Sequence, residues 1–148
     1  MTKSIPSKHI VVYADDDPDD QQFVQDAFSR YSSNVEVMTF QDGLQALSYL
    51  QDLSAIDLFP CLIILDINMP RLDGKETLTR IRLIDAFAET PVVMFTTSFF
   101  PLDPVFAKQY KVGFIKKPLD VRQMELITEQ FIEYCTDEIK KKIRGQIK

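Results

Sequence analysis

Carboxylates follow two short apolar runs of this sequence, at the points where buried strands would end. Asp15 and Asp16 follow residues 10–14, and Asp66 follows residues 61–65. A carboxylate beside buried apolar residues is costly unless a partner offsets its charge. Two unit charges about 4 Å apart repel by roughly 4 kcal/mol at an effective dielectric of ~20, so carboxylates that converge require a cation.

Two further polar side chains follow later apolar runs. Residues 91–95 precede Thr96, which supplies a hydroxyl, and residues 112–116 precede Lys117, which supplies a fixed positive charge. An anion held by a metal, a lysine and a hydroxyl beside a carboxylate indicates phosphoryl transfer onto that carboxylate. In this interpretation Asp66 is the nucleophile, and Lys117 and Thr96 neutralise the charge of the transferred group.

The predicted metal site uses oxygen atoms alone. Asp15, Asp16 and Asp66 are the expected ligands, directly or through water, together with the backbone carbonyl of Asn68. Oxygen ligands without His or Cys select a hard ion, and a shallow site that keeps several waters suits Mg²⁺. Mg²⁺, or Mn²⁺ in its place, is therefore the expected cofactor, and no organic cofactor is expected.

The elements that must position these residues alternate between strand and helix. Short apolar runs predict five strands, and amphipathic segments after each of them predict five helices. Four aspartates have the position of helix N-caps, namely Asp17, Asp42, Asp73 and Asp120. Prolines at 101 and 104 place the start of the fourth helix at about residue 104.

This alternation predicts an α/β fold of the flavodoxin-like, doubly wound type. The expected architecture is a three-layer (βα)5 sandwich around a parallel five-stranded sheet in the order 2-1-3-4-5. Strands one and three are neighbours in that order, which brings Asp15, Asp16 and Asp66 into one crevice at the carboxyl edge of the sheet.

The length of 148 residues indicates one domain. We expect a flexible lead over residues 1–8, the domain itself over 9–135, and an extension of the last helix over 136–148. Ile139 and Ile143 continue the apolar stripe of that helix beyond the needs of one core, which favours a contact with a second copy. No output domain is expected after it.

Composition narrows the classes of partner. Hydrophobic residues make up 45% of the chain and charged residues 26%, and the net charge is -5, which argues against nucleic-acid binding. No run is long enough for a membrane span or has the form of a secretion signal. Cys61 and Cys135 lack metal-ligand spacing and are expected as buried thiols. A cytoplasmic protein without membrane contact is expected.

Several charged residues next to the candidate site are assigned structural roles. Asp19 and Asp20 are expected to be solvated acids in the first turn of the first helix, where the helix dipole favours them. Lys116 is expected to point to solvent while its neighbour Lys117 turns inward.

Four ordered motifs lie at the predicted strand ends: A-D-D-D-P, L-D-I-N-M-P-R-L-D-G, V-V-M-F-T-T-S and G-F-I-K-K-P. Together they resemble the receiver domain of two-component response regulators, over about residues 9–135. The D-D-P-D-D stretch is most similar to the stand-alone receivers found beside bacterial phytochromes and other sensor kinases. One departure is Tyr13-Ala14 before the acid pair, where the family usually has aliphatic residues.

The resemblance implies a role for each matching residue. Asp66 corresponds to the phosphoacceptor, Asp15 and Asp16 to the acid pair, Thr96 to the switch hydroxyl, Lys117 to the lysine of the site and Phe114 to the switch aromatic. It implies a phosphorelay protein that is phosphorylated by a cognate sensor histidine kinase or phosphotransfer protein and that acts on a downstream protein. Such a protein catalyses only its own phosphorylation and dephosphorylation.

The signal is expected to leave through the face formed by the fourth helix, the fifth strand and the last helix. Phosphorylation would draw Thr96 inward, and Phe114 would change rotamer to occupy the vacated space. Altered partner binding or a homodimer is the expected result.

Two other functions remain open from the residues alone. An aspartate-nucleophile phosphatase needs a second acid two residues after the nucleophile, where this sequence has Asn68. A flavin or nucleotide binder of the same fold needs a phosphate-cradling loop after the first strand, where Asp15 to Asp17 would repel a phosphate.

Overall fold

The computed structural model describes residues 8–54, 59–97, 104–117 and 121–145. Within these ranges five strands form a single parallel sheet with the order β2-β1-β3-β4-β5, which confirms the predicted topology. The strands are β1 (His9–Ala14), β2 (Val35–Phe40), β3 (Leu62–Leu65), β4 (Val92–Thr96) and β5 (Val112–Lys116).

Six α-helices are described, and a short 3-10 helix covers Asp85–Phe87. The helices are α1 (Pro18–Tyr31), α2 (Gly43–Asp52), α3 (Gly74–Arg82), α4 (Pro104–Tyr110), α5 (Val121–Ile132) and α6 (Asp137–Arg144). None of these described helices combines the length and the apolar composition that a membrane crossing requires.

The predicted caps are present where the structure describes them. The side chains of Asp17, Asp42 and Asp73 accept hydrogen bonds from backbone amides in the first turns of α1, α2 and α3. Each satisfies an amide that the helix itself leaves without a partner, which fixes where the chain turns after the strand. Asp120, the fourth predicted cap, lies outside the described residues.

The sheet is buried on both faces because helices cover each of them. Alternate residues of the central strands enter two apolar clusters: Val12 and Ile63 lie in one, and Val11 and Ile64 lie in the other. The first cluster includes residues of α2 and α3, and the second includes residues of α1, α5 and α6. Such two-sided burial explains why the central strands are continuous apolar runs and why the polar residues gather at their ends.

The predicted continuous last helix is wrong. The structure has two helices, because α5 ends at Ile132 and α6 begins at Asp137 after an N-cap at Thr136. The Thr136 hydroxyl accepts a hydrogen bond from the backbone amide of Ile139, 3.4 Å away. A threonine followed by two acids is a recognisable helix start, but the unbroken spacing of the apolar residues masked it.

Helix α6 packs on the domain itself. Ile143 is fully buried in the cluster beneath α1 and α5, and its backbone carbonyl accepts a hydrogen bond from the Ser32 hydroxyl at 3.3 Å. Arg144 forms ion pairs with Glu129 (2.9 Å) and Glu133 (2.6 Å) at the end of α5. Ile139 is partly buried against the same cluster, so both apolar residues that were expected to contact a second copy pack within the chain itself.

Candidate functional site

Three carboxylates meet at the carboxyl edge of the sheet, as predicted. Strands β1 and β3 are neighbours in register, and the Asp66 amide continues their ladder with a 3.0 Å hydrogen bond to the carbonyl of Ala14. Asp15 and Asp66 therefore end adjacent strands side by side. One oxygen from each of Asp15, Asp16 and Asp66 lies within 4.8 Å of the others. Asp15 and Asp66 are buried, whereas Asp16 is exposed.

Asp15 is held by three hydrogen-bond donors. Its Oδ2 accepts from the Tyr13 hydroxyl at 2.5 Å and from Lys117 Nζ at 2.7 Å, and its Oδ1 accepts from the Asp17 amide at 3.0 Å. Burial raises the pKa of the Tyr13 hydroxyl, and so do the charge of Asp15 and the hydrogen bond to it. Tyr13 therefore keeps its proton, and the set of donors offsets the cost of burying the Asp15 charge.

Lys117 lies at the centre of the cluster. Its Nζ is 2.7 Å from Asp15 Oδ2, 2.8 Å from Asp20 Oδ2 and 3.4 Å from Asp66 Oδ2, and it lies 5.7 Å from the centre of the Phe95 ring. Burial alone would lower the pKa of Lys117, but the hydrogen bonds to Asp15 and Asp20 and the surrounding charges raise it. The lysine is therefore a permanent cation here. Lys116 is exposed and Lys117 is buried, as predicted.

The partners of Asp66 compensate its charge only in part. Burial raises the pKa of Asp66, Lys117 opposes that rise, and the charge of Asp15 adds to it. The Thr96 hydroxyl and the Asn68 amide also oppose it, the latter donating to Asp66 Oδ1 at 3.4 Å. A carboxylate in this position becomes easier to ionise when a second cation binds beside it.

Thr96 is fully buried, and its hydroxyl lies within hydrogen-bonding reach of Asp66. Its inward movement toward a phosphoryl group stays a prediction. Phe114, the predicted switch aromatic, is half-buried and packs against the apolar cluster that also contacts Phe106 and Tyr110 of α4. The role of Phe114 in switching stays a prediction, and the position of Phe114 on β5, near residues of α4, agrees with that role.

The loop after Asp66 is held close to the site by two contacts. A side chain on Gly74 would collide with the Asp66 carbonyl oxygen, because an added Cβ would lie 2.3 Å from it. Only glycine lets α3 begin this close to the acceptor strand. Arg71 has a positive φ of 64° and donates from Nε to Asp42 Oδ2 at 2.8 Å, which ties the loop to the start of α2.

The arrangement is compatible with a divalent metal ion. The cluster of Asp15, Asp16 and Asp66 offers only carboxylate oxygens, and these are ligands that hard cations prefer. Three carboxylates against one lysine leave a net negative charge, which a divalent ion would offset. The contribution of the Asn68 carbonyl stays a prediction.

Two residues of the site were not predicted. Asp20, assigned to solvent, contacts Lys117, and Tyr13, noted only as a departure in packing, contacts Asp15. A signal was present for Tyr13, which lies two residues before Asp15 and so on the same face of the extended chain. The sequence held no such signal for Asp20.

The chain is similar to known response regulators. A family model for the response regulator receiver domain matches residues 11–129. Response regulator Rcp1 of Synechocystis sp. is 33% identical over 98 residues, and the match spans 65% of this chain and 66% of the length of Rcp1.

Solved structures give the same result. The phosphorylated cyanobacterial phytochrome response regulator RcpA has a TM-score of 0.75 at 28% identity, covering 88% of this chain and 98% of RcpA. The Mn²⁺-bound form of Rcp1 has a TM-score of 0.71 at 26% identity, covering 82% of this chain and 90% of that chain.

Proposed function

The chain belongs to the family of response regulator receiver domains, and on this basis we propose that Asp66 accepts a phosphoryl group with the help of Mg²⁺. The chain therefore functions in two-component signalling. The observation that carries the assignment of Asp66 is its position: its carboxylate ends a central strand, beside two further carboxylates and 3.4 Å from Lys117 Nζ.

The proposed reaction transfers a phosphoryl group from a phosphohistidine or a small phosphodonor. A carboxylate oxygen of Asp66 attacks phosphorus, the bond from phosphorus to the donor breaks, and an acyl phosphate forms with no net redox change. Asp15, Asp16 and Asp66 would hold Mg²⁺, with the Asn68 carbonyl as a further ligand. Bound there, Mg²⁺ would neutralise charge on the phosphoryl oxygens.

Lys117 and Thr96 are proposed to bind the phosphoryl group on its other side. Lys117 is a permanent cation near Asp66, and the Thr96 hydroxyl is already within reach of the acceptor. The ammonium would give the phosphoryl group a charge-assisted hydrogen bond, and the hydroxyl would give it a neutral one. The same groups would later orient the acyl phosphate for hydrolysis, so the domain would catalyse only its own phosphorylation and dephosphorylation.

Incubation with acetyl phosphate tests this proposal. Intact-mass spectrometry should show one added phosphoryl group on the parent protein in Mg²⁺ and none in EDTA. Asp66→Asn should remain unmodified, because an amide is a poor nucleophile of the same shape. Asp73→Asn is the matched control, since Asp73 caps α3 in the same loop and should accept substitution without loss of labelling. Equal labelling of Asp66→Asn and the parent would overturn the assignment.

The proposed phosphodonor in the cell is a sensor histidine kinase or a phosphotransfer protein. Similarity to the phytochrome response regulator RcpA and to the bacteriophytochrome response regulator AtBRR favours a phytochrome-type sensor as the partner. A phosphotransfer profile against histidine kinases tests this, and equal rates from unrelated kinases would contradict it.

The cytoplasmic location and the lack of nucleic-acid binding stay predictions.

The output is proposed to pass through α4, β5 and α5. Phe114 of β5 is half-buried and packs against the same apolar cluster as Phe106 and Tyr110 of α4. Exposed apolar side chains lie on the flanking helices, Val105 on α4 and Leu126 on α5. Phosphorylation would change how this face binds a downstream protein or a second copy. Equilibrium sedimentation with and without beryllofluoride, on the parent and on Phe114→Ala, tests it. Beryllofluoride that binds without changing association or the NMR shifts of this face would place the output elsewhere.

A further inference from the structure

Lys117 has no hydrogen-bond donor to spare. An ammonium group carries three N–H bonds, and Lys117 Nζ has three carboxylate partners: Asp15 at 2.7 Å, Asp20 at 2.8 Å and Asp66 at 3.4 Å. A phosphoryl group on Asp66 would carry about 1.5 to 2 negative charges at neutral pH and would need this ammonium. Phosphorylation would convert the Asp66 carboxylate into an acyl phosphate, so the 3.4 Å Asp66 contact would pass to the phosphoryl group. A close contact with that group would then draw Nζ away from Asp15 or Asp20.

Asp15 and Asp20 differ in the cost of losing the lysine. The side chain of Asp15 is fully buried, so its charge cannot be rehydrated in place. The side chain of Asp20 is 32% exposed on the first turn of α1. Water can replace the lysine there at little cost, because a partly exposed ion pair contributes only about 0.2–1 kcal/mol. The contact to Asp20 is therefore the one that breaks.

We propose that Asp20 is a positioning residue that holds Lys117 in the unphosphorylated protein and competes with the phosphoryl group for it. The proposal rests on the proposed function of Asp66 and goes beyond it, since Asp20 neither accepts the phosphoryl group nor belongs to the carboxylate cluster that could hold the metal. Its consequence is that Asp20 weakens the hold of the domain on its own phosphoryl group and so shortens the signal.

The neighbouring acid provides a matched control. Asp19 lies in the same first turn and carries the same charge, and its backbone amide, like that of Asp20, bonds to Asp17 Oδ1. Asp19 is exposed and differs from Asp20 in the contact to Lys117. Replacing either acid removes one charge near the helix N-terminus, but only the replacement at 20 releases the lysine.

Beryllofluoride affinity at saturating Mg²⁺, measured by NMR titration, tests the proposal. Asp20→Asn should bind beryllofluoride roughly two- to fivefold more tightly than the parent, the range that a partly exposed ion pair allows. Asp20→Ala, which removes the acceptor altogether, should show at least the same increase, and Asp19→Asn should match the parent. Affinity for Mg²⁺ alone should stay equal or fall in Asp20→Asn, because a less neutralised lysine repels the metal. If Asp20 only stabilised the fold, replacing it would weaken the affinities for beryllofluoride and for Mg²⁺ together.

Three results would overturn the proposal. The first is unchanged or weaker beryllofluoride binding in both variants at position 20. The second is an equal increase in Asp19→Asn, which would indicate a general charge effect. The third is a parent that does not bind beryllofluoride at all, which would overturn the proposed function together with this inference. Only the first two leave the function of Asp66 intact.

Discussion

Replacing Lys117 with methionine removes the cation of the site while keeping an unbranched side chain of similar length. The ammonium lies 2.7 Å from the fully buried Asp15 and 3.4 Å from the buried Asp66. Both carboxylates would then face each other without their shared counter-ion. The variant should consequently be less stable than the parent when metal is absent.

The size of the loss follows from the burial of the pair. Breaking a buried ion pair by removing one partner costs about 3–5 kcal/mol. Asp15 keeps the Tyr13 hydroxyl and the Asp17 amide as donors, so we expect a value near the lower end, about 3 kcal/mol. A divalent cation would take over part of the lost compensation. If the variant binds metal at least tenfold more tightly than the parent, at least about 1.4 kcal/mol is recovered at saturating metal.

Urea unfolding of parent and variant, in EDTA and in saturating Mg²⁺, measures these differences. The loss should be about 3 kcal/mol in EDTA and about half as large, or less, in Mg²⁺. Lys116→Met on the same strand is the control, because Lys116 is exposed, and it should change stability little under both conditions. A loss of the same size with and without metal would refute the view that lysine and metal offset the same carboxylates.

Three further outcomes are expected from urea unfolding. Ile143→Ala should lower the free energy of unfolding by about 2–5 kcal/mol because Ile143 is fully buried, whereas Leu126→Ala, on an exposed residue of α5, should cost about 0.5 kcal/mol or less. Equal costs would contradict the packing of α6. Tyr13→Phe should lower the free energy of unfolding by about 1–3 kcal/mol without metal, because it removes a donor to the buried Asp15 charge. An unchanged free energy of unfolding would show that this hydrogen bond does not stabilise the fold. Burial raises the pKa of Asp66, so its contribution to stability is complete below about pH 4 and is lost as the pH rises through the folded value. Without metal, Asp66→Asn should therefore gain stability relative to the parent as the pH rises from about 4 to about 7, and a constant difference would contradict the raised pKa.

Much of the fold could be predicted because local signals and the sheet topology agreed. Proline and aspartate marked the start of α1, and Asp42 and Asp73 capped the next two helices as their spacing indicated. Apolar runs without alternation predicted central strands, and parallel pairing then required Asp15 and Asp66 to lie at one edge. These inferences depended on backbone geometry, which short stretches of sequence specify well.

What could not be predicted depended on the reach of long side chains. Nothing in the first turn of α1 distinguished Asp20 from Asp19 until the position of the Lys117 ammonium was known. The break before α6 was missed for a different reason: apolar residues four apart fit one continuous helix and equally fit two helices separated by a short turn, and the Thr136 cap decided between them.

The assignment of Asp66 as the phosphoacceptor is tested most directly by trapping the acyl phosphate. After incubation with acetyl phosphate and Mg²⁺, borohydride reduces an aspartyl phosphate to homoserine, which peptide mass spectrometry locates by sequence. We predict homoserine at position 66, with Asp15, Asp16 and Asp20 unmodified. Homoserine at one of those three positions, with Asp66 intact, would contradict the assignment.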